Sequence, residues 1–149
     1  MIHYLQIDNF GPLREMAEIN FEAVDIKERE DYVAVMPDGK KLLKLAYIYG
    51  ANASGKTTVL KAFEFLRKLL LEPMDTKGSL LNFEPFLFCD IPYEQPSRFE
   101  LSFYMDKLRY VYEVIFTRES ILEEIMNVYR SAKPTELFTR STDQEKRIS

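Results

Sequence analysis

The sequence predicts an α/β fold with α+β character, and three observations predict it. The stretch Leu45-Ala46-Tyr47-Ile48-Tyr49 is apolar at every position, the pattern of a central strand covered on both faces. A glycine-bearing turn then leads into a segment whose apolar residues recur at helical spacing. Beyond that helix the chain alternates apolar and polar residues in several short runs, the pattern of an antiparallel β meander.

Each element follows from its own residues. Residues 2–8 alternate, with Leu5 and Ile7 on one side and Tyr4, Gln6 and Asp8 on the other, until Gly11-Pro12 breaks the pattern. A second extended stretch is expected over residues 19–24, with Ile19 and Phe21 inward, and the charge-dense residues 25–31 read as a surface connection. Residues 32–36 and 42–49 flank Pro37-Asp38-Gly39; proline presets φ and glycine supplies a positive φ, so a hairpin is expected.

The long helix is expected from Gly55 to about Leu71. Val59, Ala62, Phe63, Leu66, Leu69 and Leu70 form its apolar face, while Lys61, Glu64 and Lys68 fall on the other. Glu64 precedes Lys68 by four residues, the favourable order for a helical ion pair. Pro73 stops the helix, because it lacks an amide hydrogen and restricts the residue before it. In the second half Phe99, Leu101 and Phe103 alternate with polar residues, Asp106-Lys107 suits a turn, and Leu108 to Phe116 alternates again. Residues 121–129 make one more strand, and the polar tail from Ser141 is expected to fray.

Composition bounds what the chain does. At 149 residues, 46% hydrophobic and 13% aromatic, it suits one domain with a buried core. The single cysteine, Cys89, cannot form an internal disulfide and reads as a small buried apolar residue. With no signal-peptide pattern and no apolar run of membrane-spanning length, a cytoplasmic protein with no membrane partner is expected. Net charge is −4 and the basic residues are scattered, which gives no electrostatic footprint for nucleic acid.

The chemistry resides in Gly50-Ala51-Asn52-Ala53-Ser54-Gly55-Lys56-Thr57. It fits the phosphate-loop pattern of glycine, four residues, glycine, lysine, then threonine or serine. Its position between an apolar strand and a strong helix is the one its mechanism requires. Gly50 lets the chain leave the strand sharply, and Gly55 lets the backbone approach phosphate oxygens. Amides from Ala51 to Thr58 form an anion nest, to which the helix N-terminus adds partial positive charge. Lys56, the expected catalytic residue, reaches the β- and γ-phosphates. The Thr57 hydroxyl is the expected magnesium ligand and Thr58 holds the α-phosphate. The expected ligands are ATP or GTP with Mg2+, and a P-loop NTPase lobe is the corresponding fold.

Other candidates are weaker. Phe86-Leu87-Phe88-Cys89-Asp90 reads as an apolar strand ending in an acid, but Ile91-Pro92 follows where a catalytic glutamate is wanted. Glu123 and Glu124 lie within the meander. His3, the one histidine, sits on the first strand and reads as a surface or packing residue.

Residues 5–13, Leu-Gln-Ile-Asp-Asn-Phe-Gly-Pro-Leu, together with residues 48–60 around the phosphate loop, resemble the N-terminal part of ABC-type ATPases of the SMC/RecF/OLD-like group. The resemblance is nearest to bacterial AAA-family ATPases of abortive-infection and phage-defence systems. Residues 99–103, the tyrosine-rich strand after them and Glu136-Leu137-Phe138 share it. It implies that the first strands cradle adenine, that Asn52 and Ser54 belong to the loop and that ATP is the nucleotide; it makes Arg14 a candidate nucleotide contact, against the more ordinary reading of a surface arginine. Ala53 stands where many relatives carry glycine.

The family's second acid strand with its glutamate, its signature motif and its switch histidine lie downstream in relatives, and none is visible here. Gln95 stands where a glutamine loop is sought, between Pro92 and Pro96. Residues 1–149 are therefore expected to be a single N-terminal nucleotide-binding lobe. The resemblance implies partners in a C-terminal half, in a second copy of the chain and, through that assembly, in DNA. The lobe alone is expected to bind ATP without hydrolysing it. A stand-alone nucleotide-sensing module is the alternative, with a small phosphotransferase behind it.

Overall fold

The computed structural model describes residues 1–24, 30–51, 55–72 and 80–142. Its centre is a mixed α/β arrangement of one helix on a mostly antiparallel sheet. Ile2–Asp8 (β1) pairs with Ala17–Asn20 (β2) on one side, and Val33–Val35 (β3) forms a small separate hairpin with Lys41–Leu43 (β4). Lys56–Leu71 (α1) is the long helix. Ser97–Met105 (β5), Leu108–Phe116 (β6), Ile121–Tyr129 (β7) and Pro134–Ser141 (β8) complete a six-stranded sheet ordered β2-β1-β5-β6-β7-β8.

The alternation in β1 explains its central place. Leu5 lies opposite Leu101 and Ile7 opposite Phe99, while β6 brings Tyr112 opposite Leu101, Val114 opposite Phe99 and Phe116 opposite Ser97. These side chains form one apolar face, onto which α1 lays Ala62, Phe65 and Leu66. Phe65 meets the rings of Phe10, Phe83, Phe99 and Phe116 at centroid distances of 5.8, 5.4, 5.8 and 5.0 Å. Aromatic pairs at such separations add about 0.5–1.5 kcal/mol each to the burial of their area, so this aromatic cluster fixes the helix on the sheet.

The opposite face is polar at its centre. Arg98 donates to Glu113 at 2.6 Å and to Glu100 at 2.5 Å, and Tyr4 donates to Glu100 at 2.6 Å. At one end the β3–β4 hairpin is tied on: Tyr104 donates to Asp38 at 2.6 Å, and Lys40 to Glu22 at 2.8 Å. His3 is buried there, its ring nitrogens 3.2 Å from Ser102 Oγ and 3.1 Å from Glu22.

The expected hairpin forms, with Gly39 at φ 87°, but its strands end at Val35 and Leu43. The second strand is likewise shorter than expected, ending at Asn20. Asp106 and Lys107 take positive φ values of 49° and 67° and close the turn between β5 and β6. The helix matches its expected range at both ends, and Glu72 caps it in an extended conformation; Pro73 lies outside the described residues. So do residues 143–149 of the expected polar tail.

The expected central strand over residues 45–49 is corrected. The segment has no strand pairing, and Tyr47 and Tyr49 are 71% and 85% exposed. An all-apolar run reports a capacity for burial, whereas a strand also needs a neighbour to complete its hydrogen bonds. In this sheet β1, β5 and β6 supply the central positions, and β2 and β8 are the edges. Gly50 accordingly follows an exposed extended segment rather than a strand. Residues 86–90 are also irregular, with Phe88 largely exposed; Pro85 before them and Pro92 after them disrupt ladder pairing. No described helix is long and apolar enough to cross a membrane.

Candidate functional site

The first residue of α1 is Lys56, and its N-cap is Gly55 in the left-handed region at φ 85°, ψ 2°. Only glycine takes that conformation without a Cβ clash, which is why the chain turns from loop to helix here. No side chain caps this helix end and no acid lies in its first turn. The first helical bond runs from the Val59 amide to the Gly55 carbonyl at 3.2 Å. The three preceding amides, of Lys56, Thr57 and Thr58, are therefore directed toward the helix end, where the macrodipole favours an anion.

Lys56 folds back over this end. Its ammonium donates to the Gly50 carbonyl at 2.6 Å and also to the Ala51 carbonyl. A cation thus sits between the first residues of the loop and the helix it opens. Thr57 is exposed at the helix start, and Thr58 is buried, its methyl 3.4 Å from where a Cβ on Gly11 would stand. The donor set fits a phosphate chain with its magnesium: backbone amides, one ammonium and an exposed hydroxyl, with no carboxylate in the first turn. Asn52, Ala53 and Ser54 lie outside the described residues.

A tight turn after β1 presses against the same helix end. Gly11 takes φ 56°, Phe10 and Leu13 exchange backbone hydrogen bonds of 3.0 Å, and Leu13 Cδ2 lies 3.8 Å from a Cβ built on Gly55. Beyond it Arg14 and Gln95 line one cavity of about 470 Å³ together with Asn9, Phe86, Cys89, Asp90 and Ile91. The Arg14 guanidinium stands 6.0 Å from the centre of the Phe86 ring. The two residues sought by resemblance, far apart in sequence, therefore line the same cavity.

A second cleft of about 680 Å³ runs along α1, between Thr58, Lys61, Phe65 and Lys68 and the segment from Leu80 to Glu84. Cys89 is half-buried rather than buried, its thiol 3.5 Å from the Phe86 carbonyl. Glu123 and Glu124 lie on β7, where Glu124 accepts from Tyr112 at 2.6 Å and pairs with Arg140 at 2.5 Å; this is a sheet contact, remote in role from α1. Among the described residues no group of three or more His, Cys, Asp or Glu is arranged to hold a metal.

Sequence reasoning missed Asn9 as a site residue. It takes a left-handed φ of 51° and its side chain bridges separate segments. The available signal was its place directly before Phe10-Gly11-Pro12, since asparagine tolerates the left-handed region better than other side-chain-bearing residues.

Compared with known proteins, residues 45–147 match the family described as "AAA domain, putative AbiEii toxin, Type IV TA system". No curated protein matches the sequence.

Proposed function

We propose that this chain, which belongs to the AAA-domain family matched over residues 45–147, binds ATP with magnesium at the N-terminal end of α1. One observation carries the reading. The Lys56 ammonium is held at an uncapped helix N-terminus by the carbonyl oxygens of Gly50 and Ala51, neutral acceptors that an anionic phosphate oxygen outcompetes. Lys56 then binds the β- and γ-phosphates. The amides of Ala51, Gly55, Lys56, Thr57 and Thr58 bind the phosphate chain. The Thr57 hydroxyl is placed to ligate magnesium, which neutralises phosphate charge when bound.

On this reading the lobe alone binds without turnover: the first turn of α1 holds no acid, and phosphoryl transfer needs a positioned water and a metal-side acid. We assign hydrolysis to an ABC-type assembly with a C-terminal half and a second copy of the chain. The exposed apolar residues Leu45, Tyr47, Ile48 and Tyr49 support a further partner against this segment. Action on DNA or in phage defence draws on the resemblance of residues 5–13 and 48–60. A phosphotransferase fits less well, since the described chain after α1 is a run of antiparallel strands without further helices.

Calorimetric titration of the chain and of Lys56→Ala with ATP and GTP, with and without magnesium, tests this. Magnesium-dependent ATP binding that is lost in the variant is expected. Equal binding by both proteins, or phosphate release that disappears in the variant, overturns the site or its inactivity respectively.

A further inference from the structure

We propose that Asn9 is a positioning residue of the nucleotide site, coupling the phosphate end of α1 to the segment that carries Asp90 and Gln95; this rests on the reading given above. Asn9 ends β1 in the left-handed conformation, which turns its side chain across to a distant part of the chain. Its Nδ2 donates to the carbonyls of Gln95 and Pro96, both at 3.1 Å, and its Oδ1 accepts from the Phe86 amide at 3.0 Å. Its own carbonyl accepts from Ser97 Oγ at 2.6 Å. One residue therefore holds both ends of the segment between Phe86 and Pro96.

The same turn reaches α1. Two residues on, the Gly11 amide donates to the Glu84 carbonyl at 2.7 Å, and a side chain at Gly11 would meet the Thr58 methyl at 3.4 Å, as one at Gly55 would meet Leu13 Cδ2 at 3.8 Å. A shift at the first turn of α1 thus reaches residues 9–13 through this close approach, and passes from Asn9 to Phe86 and Gln95 by hydrogen bonds. The cavity lined by Arg14, Asp90 and Gln95 keeps its shape only while that clamp holds. An asparagine serving only as a turn residue needs its left-handed φ; it does not need a side chain bonded to three backbone groups from 86 to 96.

The test is residue-resolved amide hydrogen exchange of the whole chain with and without Mg·ATP, in the native protein and in Asn9→Asp, Asn9→Gly and Tyr104→Phe. Asp retains the acceptor for Phe86 and loses both donors, whereas Gly retains the backbone freedom and loses the clamp. Tyr104→Phe removes a hydrogen bond to Asp38, outside the Asn9 network, and controls for lost stability. In the native protein Mg·ATP is expected to slow exchange both at the start of α1 and at Phe86 and Gly11. In Asn9→Asp and Asn9→Gly the α1 response persists at saturating nucleotide, the Phe86 response falls about tenfold, and Tyr104→Phe keeps both despite a lower melting temperature. A Phe86 response in Asn9→Asp equal to the native one overturns the proposal, even if Asn9→Gly fails to fold. A native protein responding at α1 but not at Phe86 overturns it as well. No response at either place instead means that the nucleotide reading itself has failed.

Discussion

The Lys56 ammonium lies 2.6 Å from the carbonyl oxygen of Gly50, so the lysine of the loop is bonded to the loop's own first residue. Binding a phosphate chain exchanges this neutral contact for charged ones. Hydrogen bonds to charged groups contribute about 1.5–3 kcal/mol each. Lys56→Ala should therefore weaken ATP binding by about 10- to 150-fold, measured by calorimetry, with little change in melting temperature.

Gly55→Ala tests the cap. The open space around Gly55, with Leu13 Cδ2 at 3.8 Å, means that the cost comes from backbone conformation rather than collision. A residue with a Cβ at φ 85° is expected to lose about 1–2 kcal/mol of stability, read from denaturant unfolding. Nucleotide affinity should fall with it, because the alternative is a helix start whose first amides point elsewhere.

Phe65 is the ring on which the helix is fixed. Phe65→Ala should cost about 3–5 kcal/mol, a large part of the 5–15 kcal/mol that ordinarily holds a domain. Chemical denaturation should show the loss. Leu60→Ala, at a 64% exposed position of the same helix, should change stability by less than about 0.5 kcal/mol.

Three phenols make the fold sensitive to alkali. Burial, and then hydrogen bonds to Glu100, Asp38 and Glu124 respectively, push Tyr4, Tyr104 and Tyr112 well above the ordinary tyrosine range. Because the folded values are raised, their contribution is whole below the unfolded pKa near 10 and is lost as pH climbs toward the folded values. Ultraviolet titration should find three tyrosines that ionise only as the chain unfolds. Tyr104→Phe should remove one of them and about 1 kcal/mol of stability.

Acid acts on the hairpin contact. The hydrogen bond from Lys40, and then that from His3, holds the Glu22 carboxyl below its ordinary value. Its contribution is present above the unfolded pKa near 4.3 and is lost as pH falls through the lower folded value. Glu22 is 41% exposed in its side chain, so the effect belongs to the range of about 0–1 kcal/mol for surface pairs. Glu22→Gln should flatten that part of the acid unfolding curve.

Local patterns made much of this legible in the sequence. Alternation located β1, β5 and β6, spacing by three and four located α1, and Gly55-Lys56-Thr57 marked the helix start, because each is a property of neighbouring residues. Residues 45–49 misled because apolarity says nothing of which strand lies alongside. Strand β8 escaped notice because its residues are exposed throughout and carry no buried face to read. Asn9 was quoted for its place in a motif, yet its bonds to residues 86, 95 and 96 join segments that only the fold brings together.

The order β2-β1-β5-β6-β7-β8 also dictates a sequence of assembly. From β5 to β8 each strand zips against its immediate predecessor across a short turn, so this half can nucleate from near-neighbour contacts. Asp8 meets Arg98 only after a far larger loop has closed, and loop closure is the slow step in such topologies. The N-terminal end of the helix is consequently among the last parts to be set, stitched in when the first strand finds its slot.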